Sequence, residues 1–201
     1  MERSIAVLLS GSGRTLENIL DKIENLEVSV VISSKNGVRG IEVAKKNDIP
    51  CHVIQRKNSK NIDKFSERIT ETLEKYNFSL IVMAGFLSFY NFPGKYKQKI
   101  MNIHPALIPS FCGRGYYGMK VHREVYKRGV KISGCTVHFV DKKYDHGPII
   151  IQKACQIKAG DQPEDIARKV FELEKKAYPE AINLYLNEKL TVTNNKVFIS
   201  D

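Results

Sequence analysis

The sequence predicts an α/β fold: a doubly wound, mostly parallel sheet with an antiparallel portion in the C-terminal half. Two observations carry this. Up to Ala84, short apolar runs alternate with stretches of helical spacing, the pattern of strands linked by crossover helices. Further on, two apolar runs are joined by a connection too short for a crossover, so they should pair as antiparallel neighbours. A length of 201 residues suits one compact domain, so residues 1–201 are read as a single unit with no internal linker or repeat.

Ile5–Leu9 reads as the first strand, followed by a glycine-rich turn and a helix around Leu16–Ile23. Val28–Ser33 is the next strand, a helix follows around Val38–Lys46, and Cys51–Gln55 is a short strand. Asp63–Lys75 has apolar residues four apart at Phe65, Ile69 and Leu73, the spacing of one helix face, and leads into the apolar Leu80–Ala84. Met101–His104 is a short strand before Pro105, and Gly113–Gly118 is a loop rich in glycine and tyrosine. Gly134–Val140 and Ile149–Cys155 are the two antiparallel strands, with Asp141, Asp145 and Gly147 between them. A long helix is expected from Pro163 to Leu186, with Asp161 as its cap and Glu164 three residues on. The tail Leu190–Ile199 reads as a hairpin turning at Asn194-Asn195.

Hydrophobic residues make up 42 % of the chain and charged residues 27 %, an ordinary globular balance. No apolar run is long enough to cross a bilayer, and the short run at Ile5–Leu9 lacks a signal-peptide cleavage site. A cytoplasmic protein without membrane contact is expected. Cys51, Cys112, Cys135 and Cys155 form no C-x-x-C pair, so no zinc-type spacing and no metal site is indicated. The net charge is +10, but the lysines are spread along the chain without interleaved aromatics or a nucleic-acid motif. That fits a solvated basic surface whose field also favours a small anionic substrate, and no nucleic-acid partner is expected.

Three constellations can carry chemistry. Ser10-Gly11-Ser12-Gly13-Arg14-Thr15 lies between a strand and a helix, where a glycine turn and free helix N–H groups suit a phosphate. It has neither the Gly-Lys-Ser/Thr close of a Walker loop nor the third glycine of a dinucleotide fingerprint, and a plain tight turn is the alternative. Asn102 and His104 stand two apart on an extended segment and should face the same way, an amide donor beside an imidazole. Asp145, in Tyr144-Asp145-His146-Gly147-Pro148, is a carboxylate able to pair with a histidine and accept a proton. Taken singly, each of these three residues reads more simply as structural.

Taken together and in order, these pieces resemble phosphoribosylglycinamide formyltransferase. Ser10–Leu16 is similar to the family's substrate phosphate loop and Ala84-Gly85-Phe86-Leu87 to its A-G-F segment. NIHPALIPSF, Asn102–Phe111, resembles its N-I-H-P-S-L-L-P signature. TVHFVDKKYDHGPIIIQ, Thr136–Gln152, resembles its second signature, and Glu174 and Tyr178-Pro179 match its last helix. The resemblance implies metal-free transfer of a formyl group from 10-formyltetrahydrofolate to the amine of glycinamide ribonucleotide, a step of purine biosynthesis. Asn102 would donate to the tetrahedral oxyanion, and His104, as imidazolium, would stabilise its charge. Asp145 would raise the pKa of His104 and help take up the amine's proton. Gly13, Arg14 and Thr15 would hold the substrate phosphate and Glu174 its ribose, while Leu87, Ser88, Phe89, Tyr90 and Asn102 would contact the folate. The chain departs from the family pattern at Ile62 and Ser88, where arginines are frequent, and at His146, where glycine is usual. A monomer or weak homodimer is expected.

Two other readings stand beside this one. Formyltetrahydrofolate hydrolase and methionyl-tRNA formyltransferase share the Asn–His–Asp arrangement, but the first usually carries an extra N-terminal domain and the second a C-terminal one. A non-catalytic nucleotide- or nucleic-acid-binding module would use the +10 charge and leave the order of the signatures unexplained.

Overall fold

The computed structural model describes residues 3–200; the ends of the expected 1–201 domain, residues 1, 2 and 201, lie outside the described residues. The strands form a seven-stranded, mostly parallel sheet of order β3-β2-β1-β4-β5-β6-β7 and a separate two-stranded sheet, β8-β9. The chain resolves into two compact units, Met1–Met101 and Asn102–Asp201.

In the first unit, β1 (Ser4–Leu9) is buried at every position, as a strand covered on both faces must be. It pairs in parallel with β2 (Glu27–Ser33) on one side and β4 (Leu80–Met83) on the other, and β3 (Cys51–Val53) extends the sheet beyond β2. Helices α1 (Arg14–Lys22), α2 (Arg39–Lys46) and α3 (Ile62–Leu73) are the crossovers. Phe65, Ile69 and Leu73 are the buried stripe of α3, which Asn61 caps by accepting from the Lys64 N–H at 2.9 Å. Chain order turns back between β1 and β4, and such a switch point is where doubly wound sheets bind ligands.

In the second unit, β5 (Ile100–His104) carries the N-I-H sequence at its end. The helix α4 (Met119–Arg128) follows, an element the sequence pattern did not reveal. Its buried face is only Val121, His122 and Val125, and no side chain caps its start at Gly118. β6 (Ile132–Phe139) and β7 (Ile149–Gln156) pair antiparallel, as expected. α5 spans Pro163–Leu186, as expected, but its cap is not Asp161. Gln162 and Asp165 form a reciprocal capping box, whereas Asp161 accepts from the Lys158 N–H at 2.8 Å and pairs with Lys169. The tail forms β8 (Leu190–Thr193) and β9 (Lys196–Ile199) around Asn194 and Asn195, both at positive φ (49° and 61°), the signature of a type I′ turn.

Candidate active site

The structure brings Asn102, His104 and Asp145 together. Asn102 and His104 project from the end of β5, and His104 is 3 % exposed. Asp145 sits in the β6–β7 connection at φ 50°, a left-handed conformation that aspartate tolerates better than most residues. Its Oδ2 lies 3.5 Å from His104 Nδ1 and accepts from the Gly113 N–H at 2.8 Å. Its Oδ1 accepts from Asn102 Nδ2 at 3.4 Å. The Nε2 of His104 lies 2.9 Å from the Phe111 carbonyl, which can only accept, so the resting ring carries its proton on Nε2.

The charges of this cluster follow from burial against pairing. Burial lowers the pKa of His104; the Asp145 carboxylate and the Phe111 carbonyl act to raise it, and burial wins. The imidazolium expected from the sequence would form against this burial, with the Asp145 carboxylate and the Phe111 carbonyl in its favour. Asp145 raises the pKa of His104 as anticipated, but by less than burial lowers it. For Asp145, burial acts to raise the carboxyl, yet the His104 imidazole and the Gly113 N–H help hold it below the usual carboxylate range. The arrangement thus offers an ionised acceptor, an amide donor and an imidazole poised to gain a proton.

Two residues of this cluster were missed by sequence reasoning as site residues. His138, on β6, lies 3.3 Å from Asn102 Nδ2 and 3.8 Å from Asp145 Oδ1. His122, on α4, is 6 % exposed with no hydrogen-bond partner for Nδ1. Burial, and then the charge of His104, push its pKa down to about 4. Folding lowers this pKa from 6.5, so the stabilisation is intact above pH 6.5 and is lost as the pH falls to about 4. Going from pH 7 to pH 4.5 should therefore cost the wild type about 2 kcal/mol more than His122→Leu. Urea unfolding at the two pH values checks this, and equal losses would refute it.

The predicted phosphate loop lies in the first unit, at the β1/β4 switch point. Gly13 is the residue before α1, with φ 76°, and a Cβ there would stand 2.7 Å from the Gly40 Cα. The loop also accepts from the Gly40 N–H through the Gly11 carbonyl at 3.0 Å, so glycine is needed here for contact with α2 as well as for any anion. Gly13→Ala should cost about 1–3 kcal/mol in urea unfolding; wild-type stability would refute the clash. Arg14 is exposed and Thr15 half-buried.

Ser10, unassigned from sequence, joins this loop to the predicted folate segment. Its Oγ accepts from the Leu87 N–H at 2.9 Å and its own N–H donates to the Gly85 carbonyl at 3.1 Å. Leu87 is exposed, and Ser88 and Phe89 are half-buried. Tyr90 is buried, with its hydroxyl 2.8 Å from Thr70 Oγ1 and its pKa raised by burial, so its side chain serves packing. Glu174 is half-buried on α5, close enough to Cys135 to help push that thiol up to about 12, after the larger effect of burial. His146 pairs with Asp141 at 2.6 Å within the connection that carries Asp145.

The fold and these residues define a class, and the chain belongs to the formyl transferase family, whose pattern matches residues 3–182. Its relatives include phosphoribosylglycinamide formyltransferases and trifunctional purine biosynthetic proteins. The chloroplastic enzyme of Arabidopsis thaliana is 34 % identical over 94 % of this chain and 67 % of its own length. The trifunctional purine biosynthetic protein adenosine-3 of Gallus gallus is 38 % identical over 90 % of this chain, which spans only 18 % of that protein. Glycinamide ribonucleotide transformylase 1 from Symbiobacterium toebii superposes with a TM-score of 0.89 at 34 % identity, covering 98 % of this chain and 94 % of the other. Phosphoribosylglycinamide formyltransferase from Coxiella burnetii gives a TM-score of 0.91 at 31 % identity, over 99 % and 94 %. No helix among the described residues is long and apolar enough to cross a membrane.

Proposed function

We propose that the chain transfers a formyl group from 10-formyltetrahydrofolate to the amine of glycinamide ribonucleotide in purine biosynthesis, within a single domain spanning 1–201. The observation that carries the reading is the convergence of Asn102, His104 and Asp145 on one another, in a chain whose relatives are named for this reaction. The amine attacks the formyl carbon and the carbonyl electrons move to oxygen. The Nδ2–H of Asn102 donates to that oxyanion; its present bonds of 3.3 and 3.4 Å are long and easily exchanged. Asp145, ionised, accepts the proton released by the amine, directly or through one water. Asp145 passes that proton to Nδ1 of His104, 3.5 Å away, as negative charge builds on the oxyanion. When the carbonyl re-forms, the bond from the formyl carbon to N10 of the folate breaks and the proton goes to N10, releasing tetrahydrofolate. For the Nε2–H of His104 to reach the substrate oxygen, the Phe111 carbonyl must give way.

Gly13, Arg14 and Thr15 bind the substrate phosphate at the start of α1, and Glu174 binds its ribose. The backbone of Ser88 and Phe89 contacts the pterin; the N–H of Leu87 is already given to Ser10. These are groups of the right kind, since a pterin edge is read by backbone donors and acceptors. The protein acts as a cytoplasmic monomer or weak homodimer on small molecules alone.

The test is a competition assay supplying glycinamide ribonucleotide, water and charged initiator tRNA together with 10-formyltetrahydrofolate. Formylation of glycinamide ribonucleotide is expected to dominate. Release of formate, or formylation of the tRNA, as the main product would assign the chain to another branch of the family.

A further inference from the structure

We propose that His138 is a positioning residue of the transfer site: the Nδ1–H tautomer of its imidazole holds the Asn102 amide with Nδ2, not Oδ1, turned toward Asp145 and the reacting oxygen. This rests on the function proposed above and adds to it a residue that none of its assigned roles includes. The ring is 1 % exposed, and its Nδ1 lies 2.8 Å from the Phe139 carbonyl. A carbonyl can only accept, so Nδ1 carries a proton; Nε2 faces the Asn102 Nδ2 that donates to Asp145, and in the neutral ring it meets that donor with a lone pair. That lone pair lies 3.3 Å from Asn102 Nδ2. On its other side Nδ2 meets the carboxylate of Asp145 at 3.4 Å, another acceptor. An amide flanked by two acceptors has one satisfactory orientation, with its donors toward both.

The backbone is shaped to aim this ring. Val137 pairs with Ile151 and His138 with Ile149, so Ile150 has no residue opposite it. Bulges of this kind re-aim side chains beside active sites. The Phe139 carbonyl that fixes the tautomer is itself held in place: a Cβ on Gly147 would stand 2.0 Å from its oxygen, and the Phe139 N–H donates to the Pro148 carbonyl at 2.9 Å. A histidine needed only to fill the core would gain nothing from a bulge, a fixed tautomer and two polar neighbours.

The experiment starts with wild-type turnover of glycinamide ribonucleotide, so that failure of the functional reading is seen separately. His138→Ala is then expected to lower kcat about 10- to 100-fold with KM changed less than about 3-fold, the size of a positioning effect. His138→Gln, whose Oε1 can accept from Asn102, should recover at least about 5-fold of that loss. In an Asn102→Ala background, His138→Ala should cost less than about 3-fold, because the residue acts through Asn102. Additive losses, or no recovery with glutamine, would overturn the proposal. Nitrogen-15 NMR of the wild-type ring supplies a readout independent of turnover and of whether the alanine variant folds. Protonated Nδ1 and bare Nε2 support the assignment, and the opposite tautomer overturns it.

Discussion

Replacing Asp145 by asparagine is expected to lower turnover of glycinamide ribonucleotide by about 100-fold or more while leaving the fold intact. Asparagine has nearly the same shape and tolerates the left-handed backbone at φ 50°. Its amide oxygen can still accept from the Gly113 N–H, now 2.8 Å from Oδ2. What disappears is the negative charge 3.5 Å from His104 Nδ1 and the ability to take a proton. With that charge gone only the Phe111 carbonyl offsets the burial of His104, and the ring is driven further from the protonated form that the oxyanion requires. The folded-state pKa of Asp145 lies below its ordinary 3.8, so its ionised form is present throughout the neutral range and its contribution to stability is lost only as the pH falls through that lowered value. Steady-state kcat at pH 7.5, with circular dichroism and thermal unfolding as controls, decides the matter. A folded variant retaining more than about a tenth of wild-type kcat would remove Asp145 from the mechanism.

The elements legible in the sequence were those whose burial leaves a periodic mark. β1 is apolar throughout because both faces are covered, and α3 shows its core stripe every four residues. α4 left almost no mark. MKVHREVYKR has two buried valines and a buried histidine among lysines and arginines, and its start at Gly118 lacks a capping side chain. Its one signal is Gly129, left-handed at φ 70° and closing the helix. At α5 the length was read correctly but the cap was not. The cap is Gln162, one residue further on, and Lys169 draws off Asp161.

The site divides in the same way. Asn102 and His104 were legible because extended backbone places residues two apart on one side, a purely local rule. That Asp145 reaches them depends on the β6–β7 bulge and on the contact between Gly147 and Phe139, which are properties of pairing between strands. The partners of Asp145 and His104 from residues 111–113 are main-chain groups, the Phe111 carbonyl and the Gly113 N–H, and side-chain patterns do not reveal them. The net direction of the His104 pKa was equally hidden. A sequence shows which charges are available, but the winning effect here was desolvation, which needs the depth of the ring.

That dependence on strand pairing makes Gly147 the second sensitive position. Its Cα faces backbone on two sides. A Cβ would stand 2.0 Å from the Phe139 oxygen, 2.9 Å from its carbonyl carbon and 3.3 Å from the Asp141 nitrogen. None of these atoms is the end of a flexible side chain, so relief requires the β6–β7 connection itself to move. Gly147→Ala should therefore lose about 2–4 kcal/mol in urea unfolding. Gly134→Ala is the informative comparison, because its Cβ would also stand 2.0 Å from a carbonyl, that of Lys153, at a position paired with Ala154 on the regular part of the ladder. Both variants should lose stability to a similar degree. Only at Gly147 does the displaced carbonyl also hold His138, and only there does the moving connection carry Asp145 two residues away. A shift of about 1 Å in a catalytic group costs on the order of 100-fold. At a temperature where both variants remain folded, kcat should fall about 100-fold for Gly147→Ala and less than about 10-fold for Gly134→Ala. Equal activity in the two would mean that the connection holds Asp145 without help from the Gly147–Phe139 contact.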